Sequence, residues 1–323
     1  MRVLAWFLWL AIGLPAAAQS PLRFELEYPS TKQAWTASNN VIPFGTSGKD
    51  SPFDEARWQQ ILPRRFLPPL RCRLVAIAPF TNAGSAVIRY ESLQIDLCMK
   101  QDLELGTDLD DNMRSPLLVL DGIPREIDWD PAERTRIVLD RGFPYDGQSH
   151  LLMDVQKVLD SSGANLPPGA FNSKTLNIPA DARIPATQIR IGPPGSNAAH
   201  GGGRALVLKI PIPMRLEFIA LEAFGAQRLV ASDGESLRIG VVEQTRGIGA
   251  IRIQPSGDEH GVLRPGSPLP IEGFVTDANR CTILEIDLPT CPEFLGLPLA
   301  LRRCVNEPTA RWSPPITPRL VLE

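Results

Sequence analysis

The stretch "LRFELEY", residues 22–28, decides the fold class, because apolar and charged residues alternate along it without a break. Its apolar residues, which fall on one side of an extended chain, are Leu22, Phe24, Leu26 and Tyr28. Strict alternation of this kind predicts a β-strand with one buried face.

Similar signals recur along the chain as short runs rich in Val, Ile and Leu, each bounded by Gly, Pro, Asn or Asp. They predict strands over residues 71–77, 86–97, 116–120, 135–139, 150–158, 205–210 and 216–221. Helical periodicity is scarce. The best helical candidate covers residues 54–62, where a turn or two would place Trp58 and Ile61 on one face. Many short strands without intervening helices predict an all-β fold, an antiparallel sandwich of the jelly-roll kind.

The strand pattern changes near residue 222, where a second series begins. Its runs are "SLRIGVVEQ", "IGAIRIQP", "PIEGFVTD", "CTILEIDL" and "LPLALRRC". We therefore predict a β-sandwich domain over residues 19–221 and a smaller β-sandwich domain over 222–323, each long enough to bury its own core. Two segments dense in Gly, Pro, Ser and Asn, residues 161–172 and 192–203, predict long surface loops.

The first residues indicate export. Arg2 precedes an apolar run over residues 3–14, and three alanines at 16–18 precede a cleavage site before Gln19. Because the run is shorter than the roughly 20 apolar residues of a membrane span, we interpret residues 1–18 as a cleaved signal peptide. The expected location is extracellular or periplasmic, without membrane insertion after cleavage.

The charge balance argues against nucleic acid as a partner. The chain has 33 Lys and Arg against 36 Asp and Glu, so its formal net charge is -3. A charge this small provides no single-sign field to attract a phosphate backbone.

Five cysteines occur in a chain that we expect in an oxidising compartment, where disulfides persist. Cys72 and Cys98 lie in strand-like runs that flank a turn-like segment at 81–85, so a hairpin would bring their sulfurs together. A bridge between them is therefore plausible, although its register is not secure, because Cys72 shares parity with Leu70 and Leu74 whereas Cys98 shares it with Gln94 and Asp96. Spacing does not choose a pair among Cys281, Cys291 and Cys304. A zinc site is disfavoured, since the sequence has no C-x-x-C pair and its three histidines are isolated.

The segment "TDLDDN" sets Asp108, Asp110 and Asn112 at alternate positions, like the first ligands of a calcium loop. The later positions do not fit, because Met113 replaces the glycine and Val119 replaces the bidentate glutamate. The first three positions make calcium a candidate cofactor. Because the later positions do not fit, a solvated loop without a cofactor is the favoured interpretation.

Two carboxylates flank a tryptophan in "REIDWDP", where Asp128 and Asp130 surround Trp129. Glycoside hydrolases use two acids a few ångströms apart, so this pair is the candidate for catalysis; a turn at Asp130-Pro131 is the plainer interpretation. Trp35 and Trp129 would stack on sugar rings if exposed and would be core residues if buried.

An ordered set of motifs resembles a known family. "NVIPFG" at 40–45 is followed by "RWQQIL" at 57–62, then by "LQIDL" at 93–97 and "FPYDGQSHLLMDV" at 143–155. Over residues 39–218 the chain resembles the exported bacterial β-sandwich domain of planctomycete-type and PEP-CTERM-associated secreted proteins. It departs from them in having Trp58 for a tyrosine and His150 for an asparagine, and in lacking the sorting tail.

This resemblance implies export and a β-sandwich, and it brings no catalytic residues. We therefore expect a secreted, non-catalytic binding or structural module whose partner is an extracellular polysaccharide or an envelope protein. The alternative is a carbohydrate-active hydrolase on a jelly-roll scaffold that uses Asp128 and Asp130. The sequence leaves the oligomeric state open.

Overall fold

A computed structural model describes part of the chain. The described residues are 22–28, 35–40, 44–45, 55–80, 86–106, 108–130, 135–160, 173–176, 189–192, 212–222, 224–231, 234–242, 248–255, 271–275, 281–288, 299–305, 311–312 and 319–320. The predicted signal peptide, the predicted strand at 205–210 and nearly all of the two predicted long loops lie outside them.

Strands dominate the described residues before position 222. They are β1 (Arg23–Tyr28), β2 (Trp35–Asn40), β3 (Glu55–Leu62), β4 (Cys72–Pro79), β5 (Ala86–Lys100), β6 (Leu117–Leu120), β7 (Arg125–Trp129), β8 (Ile137–Tyr145), β9 (His150–Leu159), β10 (Ser173–Leu176), β11 (Ile189–Gly192) and β12 (Met214–Ala220). Helical structure in this part is short, with a 3-10 turn at Arg64–Phe66 and the four-residue helix α1 at Leu109–Asn112.

The strands form two principal antiparallel sheets. A four-stranded sheet has the order β1-β12-β4-β8. A six-stranded sheet contains β11-β3-β9-β5-β6, with β7 also paired to β5. A small third sheet pairs β10 with β2. The prediction of an all-β sandwich is confirmed.

The main core joins side chains of both principal sheets. From the four-stranded sheet come Phe24, Leu74 and Phe218, and Phe24 stacks on Phe218 at 5.4 Å between ring centroids. From the six-stranded sheet come Trp58 and Leu93. Burying such apolar surface stabilises the sandwich by roughly 25 cal/mol per Å² removed from water.

The chain from residue 224 onward forms two further sheets. Their strands are β13 (Phe224–Ala231), β14 (Gly234–Val242), β15 (Ile248–Pro255), β16 (Ile271–Val275), β17 (Cys281–Leu288), β18 (Leu299–Val305), β19 (Arg311–Trp312) and β20 (Arg319–Leu320). One sheet has the order β17-β14-β13-β20 and the other β16-β15-β18-β19. In the pairings that the structure describes, these strands bond only to one another.

The predicted helical turn at 54–62 is wrong. These residues form β3, which lies between β9 and β11 in the six-stranded sheet. Trp58 and Ile61 are three apart, and in a strand an odd separation places side chains on opposite faces. Trp58 accordingly lies in the main core and Ile61 in a separate cluster on the other face.

The predicted bridge between Cys72 and Cys98 is also wrong. β4 and β5 are not a hairpin, because β4 pairs with β8 and β12 whereas β5 pairs with strands of the other sheet. Cys72 faces the main core, and Cys98 lies in the separate cluster beside Met113, without a disulfide between them.

A close-packed segment connects the sandwich to the C-terminal strands. Leu70 lies against Gly147 of the β8–β9 turn and against Gly225 and Gly240 of β13 and β14. Arg238 of β14 donates hydrogen bonds to the carbonyl oxygens of Arg64 and Leu67 at 2.9 and 3.2 Å. Glycine at these positions allows the backbone around Leu70 to approach three neighbours closely.

We expect Gly147→Ala to destabilise the protein by roughly 2 kcal/mol, since Gly147 has φ +79° and an added Cβ would lie 2.7 Å from the Leu70 carbonyl carbon. Urea unfolding followed by circular dichroism measures the change. Gly106→Ala is the control, because its Cβ would meet its nearest atom at 3.4 Å. Equal stabilities of the two variants would contradict this account of the turn.

Candidate functional site

The outer face of the six-stranded sheet, away from the main core, carries three rows of side chains across β3, β9 and β5. Strand register defines these rows. They are Arg57–Gln156–Gln94, Gln59–Asp154–Asp96 and Ile61–Leu152–Cys98. The first two rows are polar, and the third is apolar. We call this surface the outer face.

A strap crosses part of the outer face. We define it as residues 102–106 and 108–113, which include α1. Its Leu105 is buried with Ile61, Leu152 and Cys98 in a cluster separate from the main core. The strap therefore covers the apolar row with its own apolar side chains.

A buried ion pair lies at the centre of the polar rows. Asp154 accepts hydrogen bonds from Arg57 Nη2 at 2.6 Å and from Arg57 Nε at 2.9 Å, and Gln59 Nε2 donates a third at 2.8 Å. The side chains of Arg57 and Asp154 are 7% and 1% exposed. Such a pair forms only where bidentate geometry and further hydrogen bonds offset the desolvation of both charges.

Burial and pairing have opposite effects on the two partners. Burial lowers the pKa of Arg57, and the hydrogen bonds and charge of Asp154 outweigh it, so the pKa of Arg57 rises above its ordinary value. Burial raises the pKa of Asp154, and hydrogen bonds from Arg57 and Gln59 limit that rise. The guanidinium is thus charged at every accessible pH, and it holds the buried carboxylate in place.

The polar rows also hold the strap. Gln59 Nε2 donates to the carbonyl oxygen of Leu109 at 2.7 Å, and Asn112 Nδ2 donates to Gln59 Oε1 at 3.0 Å. Arg57 Nη1 donates to Asp110 Oδ1 at 2.6 Å, although the Asp110 side chain is 65% exposed. These side-chain contacts attach α1 to the sheet.

Beside the strap, the outer face carries three half-buried polar side chains, Gln94, Asp96 and Gln156, and we use the name trough for this patch. Gln94 Nε2 donates to Asp96 Oδ2 at 2.6 Å. Gly122 borders the trough, since a Cβ on it would lie 3.4 Å from Gln94 Oε1, and Leu118 lies opposite Asp96 with 37% exposure. The trough combines amide and carboxylate groups with one apolar neighbour.

The three residues of the candidate calcium loop have separate hydrogen-bond partners in the structure. Asp108 accepts hydrogen bonds from the amides of Asp110 and Asp111 and so caps α1. Asp110 pairs with Arg57, and Asn112 bonds Gln59 and both backbone groups of Gly106. Within the described residues, no three His, Cys, Asp or Glu side chains are grouped to hold a metal ion.

The carboxylates of the candidate hydrolase pair flank a core residue. Asp128 is exposed opposite Val87, and Asp130 follows the end of β7, where its amide donates to Thr135 Oγ1 at 2.7 Å. Trp129 between them is 0% exposed and donates from Nε1 to the Tyr90 hydroxyl at 3.2 Å. Trp129 therefore has no exposed ring face for a sugar, which corrects that expectation.

The remaining candidate residues are only partly described. Trp35 begins β2 opposite Leu176, and its side chain lies outside the described residues. Cys281 begins β17 and Cys304 lies in β18, with side chains likewise outside the description, and Cys291 falls between described segments. Within the described residues, no helix is long and apolar enough to span a bilayer.

The described end of the "VIPFG" motif closes one side of the main core. Phe44 is buried, and its ring lies 5.6 Å from that of Trp129. Its carbonyl oxygen accepts from the Tyr90 hydroxyl at 2.7 Å, and the carbonyl oxygen of Gly45 accepts from the buried Lys157 ammonium. This part of the motif is a packing element.

His150 is a buried titratable residue outside the outer face network. It is 4% exposed, and its Nδ1 accepts from the Arg64 amide at 3.0 Å. Burial, assisted by the charge of Arg64, lowers the pKa of His150 to about 4 from its ordinary 6.5. The neutral imidazole is thus part of the folded structure.

We expect His150 to make stability depend on pH. Between pH 6.5 and about 4 the unfolded chain binds a proton at His150 that the folded chain does not. The stability contributed by the neutral His150 is therefore complete above pH 6.5 and is lost as the pH falls. The expected slope from this residue is about 1.4 kcal/mol per pH unit. Urea unfolding of the wild type and of His150→Gln over this pH range isolates the slope that His150 contributes. Parallel profiles of unfolding free energy against pH for the two proteins would contradict this prediction.

The hydrogen-bonded set of Arg57, Gln59 and Asp154 was not predicted from the sequence. Within "RWQQIL" the signal was present as polar residues at positions 57 and 59 alternating with Trp58, the pattern of a strand. In "HLLMDV" the single Asp154 within an apolar run was the matching signal, because a carboxylate buried there requires a cationic partner.

Comparisons with known proteins do not assign the chain to a family. No family model matches it, and no curated protein matches it. Among solved structures it is similar to the β-D-glucuronidase of Dictyoglomus thermophilum, with 10% identity over 93% of this chain and 45% of that one and a TM-score of 0.19. The β-glucuronidase of Ruminococcus gnavus in complex with C6-substituted uronic isofagomine gives 10% identity, 93% and 46% coverage and a TM-score of 0.22. The chain spans less than half the length of these enzymes, and TM-scores this low do not identify a shared fold.

Proposed function

We propose that this protein is an exported, non-catalytic binding module that contacts an extracellular polysaccharide through the trough on its outer face. Export is supported by the signal-like first eighteen residues, and the resemblance to exported bacterial β-sandwich domains agrees with it. The trough of Gln94, Asp96 and Gln156 is the observation that carries the proposal.

The chemistry of the trough suits a hydroxyl-rich ligand. Amide side chains donate and accept hydrogen bonds, and a carboxylate accepts them, so the three residues offer both kinds of partner to sugar hydroxyls. The exposed Leu118 beside Asp96 offers an apolar contact for the C–H face of a ring. A small number of placed polar groups beside apolar surface is typical of ligand sites.

The buried pair beside the trough restrains the strand that carries Gln156. Asp154 lies opposite Asp96 across the β9–β5 ladder, and Gln156 lies opposite both Arg57 and Gln94. Because Arg57 of β3 holds Asp154 of β9 by three contacts, the strand that carries Gln156 has little freedom to shift against β3. A preorganised surface loses less entropy when a ligand binds.

The rival hydrolase has no comparable support in the described residues. Asp128 points to solvent from β7, and Trp129 holds the adjacent strand end in the core. Asp154 is a deeply buried carboxylate of the outer face, and its Oδ2 already accepts hydrogen bonds from Arg57 and Gln59. Contact rather than reaction is the function that these positions favour.

Calorimetric titration of the mature protein with soluble polysaccharides tests the proposal. We expect Asp96→Ala and Gln156→Ala each to weaken binding about tenfold, since each removes hydrogen bonds to the ligand. Asp128→Ala is the matched control, because it removes a carboxylate of the same sheet outside the trough. Wild-type affinity in both trough variants, or an equal loss in the control, would refute the assignment of the trough.

A further inference from the structure

The strap on the outer face has a small apolar cluster of its own. Ile61, Cys98, Leu105 and Leu152 are its buried members, with Leu103 and Met113 packed at the margin. This cluster is separate from the main core, which contains many more buried side chains. Segments with few buried apolar contacts open at lower free energy than the core strands of the same protein.

Polar side chains complete the attachment of the strap. Gln59 binds Leu109 and Asn112, and Arg57 binds the exposed carboxylate of Asp110. Asn112 additionally holds the strap in its own conformation by bonding both the amide and the carbonyl of Gly106, at 2.6 and 3.2 Å. Asn112 thus links the internal structure of the strap to its contact with the sheet.

The two ends of the strap are anchored differently from its centre. At the start, Lys100 pairs with Asp102 at 2.8 Å and Gln101 Nε2 donates to Ser149 Oγ at 3.1 Å. At the other end, Met113 continues towards β6, which belongs to the six-stranded sheet. The ends can therefore stay attached while the centre moves.

We propose that the strap opens as a unit while the sandwich remains folded, and that the contacts of Gln59 and Arg57 with α1 act as its latch. Opening exposes Ile61, Leu152 and the Cys98 sulfur on the outer face, next to the polar rows. This device does not depend on polysaccharide binding.

Cys98 is a natural probe of the open state. It is 2% exposed, and burial raises the pKa of its thiol to about 11, so it reacts slowly while the strap is closed. Cys72 is 0% exposed in the main core and serves as an internal reference for global unfolding. Alkylation by iodoacetamide followed by peptide mass spectrometry reads each cysteine separately.

We expect Cys98 in the native protein to be alkylated at least tenfold faster than Cys72, with a rate that changes little at low urea concentration. Asn112→Ala should accelerate Cys98 about tenfold and leave Cys72 unchanged. Asp110→Ala should also accelerate Cys98, by a few-fold because its pair with Arg57 is largely exposed. Asp111→Ala is the matched control, since it removes the neighbouring carboxylate of α1, and it should leave both rates as in the wild type.

Equal rates for Cys98 and Cys72 that rise together with urea would overturn the proposal, because both sulfurs would then be reached only by global unfolding. The same conclusion would follow if Asn112→Ala and Asp111→Ala gave one common rate for Cys98. Hydrogen exchange provides a second readout that needs no cysteine. Faster exchange in residues 102–113 of Asn112→Ala, with unchanged exchange in β9, is the expected result.

Discussion

Arg57→Met is expected to lower the free energy of unfolding by about 3–5 kcal/mol, because it leaves the Asp154 carboxylate buried without its cationic partner. Asp154 is 1% exposed, so the carboxylate must either remain charged in the interior or take up a proton. Urea unfolding monitored by circular dichroism at neutral pH measures the change. The double variant Arg57→Met with Asp154→Leu should regain most of the loss, since no buried charge remains.

The control for this prediction is an ion pair of similar length at the surface. Arg89 and Glu126 approach to 2.6 Å, but their side chains are 51% and 54% exposed. Arg89→Met should therefore change stability by at most about 1 kcal/mol. A loss of similar size in Arg57→Met and Arg89→Met would show that the buried pair does not hold the six-stranded sheet as described.

Trp129→Ala is the second substitution with a large expected effect, a loss of about 3–5 kcal/mol in unfolding free energy. The side chain is fully buried against Phe44 and donates to the Tyr90 hydroxyl, so its removal leaves a cavity and an altered hydrogen bond. Thermal and urea unfolding both report the loss. Trp129→Phe, which retains a ring, should cost less than half as much.

Val138→Ala provides the reference for a surface position. Val138 is 53% exposed, and its truncation should change stability by no more than about 0.5 kcal/mol. If Trp129→Ala behaved like Val138→Ala and instead lost polysaccharide affinity, Trp129 would be a ligand platform rather than a core residue. The burial of its ring would then be incorrect.

Much of the strand content of the sandwich could be predicted from the sequence. Alternation in "LRFELEY" corresponds to β1, with Phe24 and Tyr28 buried. Runs of Val, Ile and Leu likewise correspond to β4, β5, β6, β8, β9 and β12, with boundaries shifted by a few residues. In β1, burial on one face imposes period-two patterning on the sequence. β9 is buried on both faces over residues 150–155, and its short apolar run indicated a strand instead.

The helical error arose in β3, where all positions after Glu55 are buried. Its polar residues Arg57 and Gln59 lie on a buried face, and its apolar residues Trp58 and Ile61 have the three-residue spacing of a helical face. The strap covers the second face of β3, and the sequence of β3 does not indicate that a later segment packs there. The pairing of Cys72 with Cys98 failed for a related reason, since chain proximity does not reveal that consecutive strands enter different sheets.

The candidate site was less predictable than the fold. Arg57 and Asp154 are 97 residues apart, and only the register of β3 on β9 brings them together. Alternate spacing grouped Asp108, Asp110 and Asn112 as candidate ligands, but it did not indicate that Asp108 caps α1, that Asp110 pairs with Arg57 or that Asn112 bonds Gln59. Long-range pairing of this kind follows from topology, which local patterns do not specify.

Incubation of the mature protein with a polysaccharide that it binds, followed by assay of newly formed reducing ends, tests most directly whether contact is the function. We predict saturable binding that depends on Asp96 and Gln156, with no release of reducing ends above that of the sugar alone. Release of reducing ends by the wild type that is abolished in Asp128→Ala would contradict the account and establish the hydrolase.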